Sequence, residues 1–212
     1  MTNERPSSRV APRLGAVVLC GGHSRRMGQS KAWLSFGSEP LLVRVVRRLS
    51  TIAAPIVVVR ARGQTLPELP NHVFVVDDAA PDRGPLQGLA AGLSVLQTLA
   101  DAAFVSSTDA PFVEPLVIEH LVALRGNAYD LAVPRALGRQ HPLAAVYAVS
   151  VLPTIEDMLK QDQLRMMDLV QRLHTRVVEE DELRRIDPTL RFLMNVNTPE
   201  DYAAALAVDV AR

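Results

Sequence analysis

The chain has 212 residues, 48% hydrophobic and 22% charged, with 23 Lys+Arg against 23 Asp+Glu. That apolar content is enough to bury one sizeable core, and the charge balance lacks the basic surplus of a dedicated nucleic-acid binder. Cys20 is the one cysteine, which excludes an intramolecular disulfide and fits a reducing, cytoplasmic compartment. No apolar run approaches the ~20 residues of a membrane span.

Residues 1–12 are polar and have no apolar h-region, so they read as a disordered tail and not as a secretory signal. A single domain is expected over 13–212. Its first element is LGAVVLC at 14–20, a buried strand that is continuous, β-rich and stopped by Gly21-Gly22. Pro40 opens a helix with Leu41, Leu42, Val45, Val46 and Leu49 on one stripe and Arg44, Arg47 and Arg48 opposite. Strands are expected at 56–60 and 73–76. A helix follows over 86–99, with Leu86, Leu89, Leu93 and Leu96 at core spacing. A buried strand at 103–107 and a helix over 115–124 come next. Strands at 131–134 and 143–147 precede helices near 152–160 and 164–173. A strand at 176–178 and a final helix from about 198 to 208 close the chain.

This alternation predicts an α/β fold with a single Rossmann-like, doubly wound, mostly parallel sheet and helices on both faces. Burial on both faces explains why the strands are continuous apolar runs. No internal repeat, low-complexity segment or composition break marks a second domain. Small-molecule sites in such sheets lie beyond the carboxyl ends of the strands, which directs attention to the segments that follow them.

Residues 20–31 read Cys-Gly-Gly-His-Ser-Arg-Arg-Met-Gly-Gln-Ser-Lys. Gly21 and Gly22 let a ligand approach the backbone, whose N–H groups then point at an anion. Arg25, Arg26 and Lys31 add charge-assisted donors for phosphate oxygens. Gln29 and Ser30 separate Gly28 from Lys31, so the loop is not a Walker A motif, and the glycine spacing is not that of a dinucleotide fingerprint. By itself the loop reads equally as a solvated basic turn or as an anion site.

Taken as a pattern, L-C-G-G-x-S-R-R-M-G-x-x-K resembles the opening signature of the molybdenum cofactor guanylyltransferases and, more loosely, of related pyrophosphorylase-type nucleotidyltransferases. Cys20 stands where that family has alanine, and Ser30 where it has aspartate. The likeness continues through Asp77-Asp78 with Gly84-Pro85-Leu86-Gln87-Gly88, then Ser106-Ser107-Thr108-Asp109-Ala110-Pro111-Phe112, His141-Pro142-Leu143, and Asn195-Val196-Asn197-Thr198-Pro199-Glu200-Asp201. Each segment also has a plainer reading. Asp78 is ordinary at a strand end, Asp109 suits an N-cap or Asx-turn, His141 suits a structural role, and Thr198-Pro199 suits a helix cap.

The resemblance implies a nucleotide-diphospho-sugar transferase-like fold and transfer of GMP from GTP to the terminal phosphate of molybdenum-molybdopterin, with Mg2+ as cofactor. It assigns Leu19, Cys20, Gly21, Gly22, Lys31, Asp78 and Asp109 to GTP, Asp109 also to the metal, and Arg26, Lys31 and Asp109 to catalysis. Asn195 and Asn197, with Arg25, fall on the pterin, at a sheet edge opposite the nucleotide loop. The double glycine matches the guanylyl branch, whereas cytidylyl relatives carry Ala-Gly. Implied partners are GTP and molybdenum-molybdopterin, with molybdenum-insertion proteins and molybdoenzyme maturation chaperones beyond them, and neither nucleic acid nor membrane. Two alternatives stay open: a cytidylyl or sugar-phosphate transferase, and a non-catalytic paralogue that binds nucleotide or cofactor.

Overall fold

The computed structural model describes residues 13–21, 30–78, 80 and 83–210; the expected tail at 1–12 lies outside them. After β1 (Leu14–Leu19), a short 3-10 turn at Lys31–Trp33 leads into a hairpin of β2 (Ser35–Phe36) and β3 (Glu39–Pro40). The chain continues as α1 (Leu41–Leu49), β4 (Ile56–Arg60), β5 (Val73–Asp77), α2 (Gly84–Leu96), β6 (Ala102–Ser107) and α3 (Pro115–Arg125). Then come β7 (Leu131–Ala136), β8 (Arg139–Gln140), β9 (Ala145–Ala148), α4 (Leu152–Lys160), α5 (Met166–Arg172), β10 (Thr175–Glu179), α6 (Glu180–Arg184) and α7 (Pro199–Val210).

The main sheet has the order β10-β7-β9-β6-β1-β4-β5, with β8 paired to β7. The pairs β1–β4, β1–β6, β4–β5 and β7–β10 are parallel. Only β9 and the short β8 run against their neighbours. The expected mostly parallel sheet is therefore present, and its faces are both covered. Alternate residues of β1 feed different cores: Ala16 and Val18 belong to the one that takes in α1, α3 and α6, and Val17 to the one that takes in α2, α4 and α5. That is why the strand reads as an unbroken apolar run. A third, smaller cluster joins Leu34, Phe36, Leu41 and Phe112 to Val196 and to Ala205 on α7. It brings the chain's last helix back beside the end of β6. Among the described residues no helix is long and apolar enough to cross a membrane.

Several elements differ from expectation for local physical reasons. The helix expected from 86 begins at Gly84, because Pro85 is tolerated in a first turn where its missing N–H has no partner to lose. It ends at Leu96, whose carbonyl accepts the N–H groups of Leu99 and Ala100. The strand expected at 143–147 starts only at Ala145, since Ala144 donates back to the His141 carbonyl in a turn. Helix α5 starts at Met166 rather than 164. The β2–β3 hairpin, β8 and α6 are too short to show a periodicity. Helix α6 is almost wholly charged and is set by a reciprocal capping box between Glu179 and Glu182.

Among the described glycines, the one with least room for a side chain is Gly92, within α2. A Cβ there would come within 2.5 Å of Val17 Cγ1 and 2.8 Å of Val17 Cγ2, a fully buried side chain of β1. Gly92→Ala is expected to destabilise the fold by about 1–3 kcal/mol through overpacking, despite the better helix propensity of alanine. Thermal unfolding followed by circular dichroism measures this, at roughly 2–4 °C per kcal/mol for a chain of this size. An unchanged midpoint would mean that α2 moves away from β1 at no cost.

Candidate functional site

The parallel register between β1 and β6 sets Leu19 beside Ser107, so the segments after both strands emerge together. The Leu19 carbonyl accepts the Thr108 N–H at 3.1 Å, and the Cys20 N–H donates to the Val59 carbonyl at 2.7 Å. The Gln64 side-chain amide donates to the Cys20 carbonyl at 3.2 Å, tying the start of the glycine loop to the end of β4. Among the described residues a Cβ at Gly21 would meet only the Ala61 nitrogen, at an ordinary 3.6 Å. Gly22, Arg25 and Arg26 lie outside the described residues.

Lys31 and Asp109, far apart in sequence, meet at these strand ends. Lys31 Nζ donates to Asp109 Oδ2 at 2.8 Å and to Asn197 Oδ1 at 2.8 Å. Their side chains are only 20% and 16% exposed, so the ion pair is shielded from bulk water. The other carboxylate oxygen of Asp109 accepts the Ser107 hydroxyl at 2.5 Å. The Asp109 main-chain carbonyl accepts the Val196 N–H at 2.8 Å. That bond carries the Asn-Val-Asn segment to the carboxyl end of β6. Val196 is buried while Asn195 and Asn197 on either side of it are exposed. The segment then caps α7: Thr198 Oγ1 accepts the Asp201 N–H, and Asp201 Oδ2 accepts the N–H groups of Asn197 and Thr198. Those two main-chain donors hold the Asp201 carboxyl below the usual carboxylate range.

One expectation needs correction. Asn197 does not sit at a sheet edge remote from the nucleotide loop; its amide oxygen lies on the Lys31 ammonium. The reason is that Val196 pairs with Asp109, which follows a strand in the interior of the sheet.

The remaining predicted residues spread along the same end of the sheet. Asp78 follows the edge strand β5, donates its N–H to the Arg60 carbonyl at 2.7 Å, and accepts the Ala80 N–H on Oδ1 at 3.2 Å. Ser30 precedes the 3-10 turn and makes no side-chain cap bond. His141 donates its N–H to the Pro134 carbonyl and its Nε2–H to the Ala136 carbonyl at 3.0 Å, which closes the β7–β8 hairpin. Burial pushes its pKa down, so the ring is held neutral in this bond. Burial pushes the Cys20 thiol up, against smaller opposing hydrogen bonds from Thr108 and Gln64, so it stays protonated.

Sequence reading missed Ser107, Gln64 and Arg44 as parts of this region. Ser107 had a signal, since it stands two residues before Asp109 at a strand's carboxyl end. Gln64 and Arg44 had none. Among the described residues no group of three or more His, Cys, Asp or Glu side chains gathers to hold a metal by itself. Asp109, with lone pairs left on both oxygens, instead suits a hard dication whose other ligands come from phosphate and water.

Residues 16–177 match the MobA-like NTP transferase domain family. A probable molybdenum cofactor guanylyltransferase of Methanosarcina mazei is 34% identical over 88% of this chain and 87% of its own length. The molybdenum cofactor guanylyltransferase of Desulfosudis oleivorans is 30% identical over 90% of this chain and 93% of its own. The crystal structure of molybdopterin-guanine dinucleotide biosynthesis protein A from Archaeoglobus fulgidus superposes with a TM-score of 0.77, at 25% identity, over 93% of this chain and all of the other. These likenesses run through the segments that carry Lys31 and Asp109, and the chain belongs to the MobA-like NTP transferase domain family, together with the molybdenum cofactor guanylyltransferases it resembles over most of its length.

Proposed function

We propose that this chain transfers GMP from GTP to the terminal phosphate of molybdenum-molybdopterin, releasing pyrophosphate, in the cytoplasm. The observation that carries this reading is the convergence of Lys31, Asp109 and Asn197 at the carboxyl ends of β1 and β6. The backbone around Leu19, Cys20, Gly21 and Gly22 cradles the triphosphate, with Asp78 toward the nucleoside. Asn195, Asn197 and Arg25 serve the acceptor. Molybdenum-insertion proteins and molybdoenzyme maturation chaperones are the further partners such a product calls for.

A phosphate monoester with a second pKa near ~6 is mostly dianionic at neutral pH, so the acceptor needs no protein base. A protonated Cys20 and a hydrogen-bonded His141 accord with this. The protein's work is then alignment and charge neutralisation. Lys31 turns from Asp109 to the entering phosphates, and Arg26 joins it on the pyrophosphate side. Asp109 would hold the Mg2+ that the family implies. When bound, that ion offsets charge on the phosphates. Ser107 keeps the carboxylate oriented throughout.

Mass spectrometry of the product formed from GTP, magnesium and molybdopterin tests the reading. The guanine dinucleotide is expected, and a cytosine dinucleotide from a parallel CTP reaction in its place would overturn it.

Asp109→Asn is expected to keep the fold and lower turnover on the order of 100-fold, as loss of one preorganised charge contact does. Wild-type rates at ordinary magnesium would remove Asp109 from the site. Lys31→Ala should weaken GTP binding by about 1.5–3 kcal/mol, the range of a charge-assisted hydrogen bond; calorimetry decides, and a loss of thermal stability alone would make the lysine structural. The two asparagines should separate. Asn195→Ala raises the Michaelis constant for the pterin alone, whereas Asn197→Ala also weakens GTP binding because it releases Lys31. Identical profiles for the two variants would contradict this division.

A further inference from the structure

Among the described residues Arg44 is one of three buried charged side chains outside the site, with Arg125 and Asp187, at 8% exposed. It lies on the face of α1 opposite the apolar stripe, yet it is buried. Its Nε donates to the Pro111 carbonyl at 3.1 Å. One terminal nitrogen pairs with Asp209 on α7, and the other lies 3.9 Å from Glu39. The guanidinium carbon stands 4.7 Å from the centroid of the Phe36 ring and 6.0 Å from that of Phe112, two rings that meet edge to face. One turn further along α1, Arg48 Nε donates to the Val113 carbonyl at 2.5 Å and pairs with Glu114. Two arginines of one helix thus grip alternate carbonyls of the segment that leaves Asp109, while the Val196 N–H grips the carbonyl of Asp109 itself.

We propose that Arg44 is a positioning residue for the Asp109 loop: its planar fork fixes Pro111, and with it the direction in which the Asp109 carboxylate points. Lysine is not an equivalent, because one ammonium on a flexible stem cannot hold Pro111, Asp209 and the gap between two rings together. The catalytic consequence rests on the reading of Asp109 given above; the mechanical one does not.

The test compares Arg44→Lys with Asp209→Asn. The lysine keeps a cation for Asp209 and Glu39 but gives up the fork, and the asparagine keeps an acceptor for Arg44 and leaves the Pro111 bond intact. Amide hydrogen exchange at Val196, followed by NMR, reports the loop directly. Arg44→Lys is expected to speed that exchange about tenfold, as the bond to Asp109 opens more often. It should also lower kcat roughly 10- to 100-fold, the cost of about 1 Å of misplacement, with the KM for GTP within about twofold of wild type. Asp209→Asn should lower the melting temperature and leave Val196 exchange and kcat near wild type. Wild-type exchange in Arg44→Lys overturns the proposal. Equal losses in both variants also overturn it, since Arg44 would then act only by holding α7. Faster exchange in Arg44→Lys alone supports positioning whatever the reaction proves to be. A wild-type protein that forms no guanine dinucleotide refutes the guanylyl reading and leaves the exchange comparison standing.

Discussion

A lysine and an aspartate 78 residues apart share a proton-donor contact of 2.8 Å in a position where each is less than a quarter exposed. Charges withdrawn from water in this way are stable only while they are paired, because an orphaned partner bears its desolvation cost alone. The surrounding fold can be understood as the set of constraints that keeps this pair together. The parallel register of β1 with β6 brings the two strand ends side by side. The Ser107 hydroxyl and the Asn197 amide take up what the pair leaves over, one on the carboxylate and one on the ammonium. In the proposed reaction an incoming phosphate and its counter-ion would replace these partners, so the charges need not pass through an unpaired state.

Those constraints come from both faces of the sheet and from the far end of the chain. On one face, Gly92 allows α2 to approach β1 more closely than any side chain would permit. On the other, α1 packs its apolar stripe on the sheet and turns Arg44 and Arg48 toward the segment after β6. The last helix closes the arrangement through Val196, which is fully buried between exposed asparagines and bonded to Asp109. Thr198 and Asp201 then cap that helix, so the segment is held at both ends.

Much of this was legible in the sequence, for identifiable reasons. β1, β4 and β6 are buried on two faces, so their apolar runs are continuous and the chain following them is easy to find. Helix α1 has a full apolar stripe. The motif after β1 and the Asp109 segment are dense in glycine, proline and charge, which are local signals. What stayed illegible depends on residues distant in sequence. Asn197 alternates with Asn195 as a motif suggests, but its contact with Lys31 spans 166 positions. Arg44 sits on the polar stripe of a helix, where periodicity says solvent; the Phe36–Phe112 pair and Asp209 cover its guanidinium instead. Helix α6, nearly all charged, is specified by its capping box and not by any apolar period.

On the function proposed above, the position of Asn197 bears on how the two substrates would sense each other. A side chain that faced only the acceptor would leave the nucleotide side unaware of it. Here the amide oxygen is one of two acceptors for the same ammonium that the triphosphate needs. Any acceptor that takes a hydrogen bond from Asn197 reorients the amide and alters how firmly Lys31 is held. Any nucleotide that draws Lys31 away releases Asn197 to the acceptor. Binding free energies coupled through one shared group are reciprocal, so each substrate must change the affinity of the other by the same factor. The coupling requires no movement of helices or strands, only the exchange of hydrogen-bond partners around a lysine that the fold already holds between two chain segments.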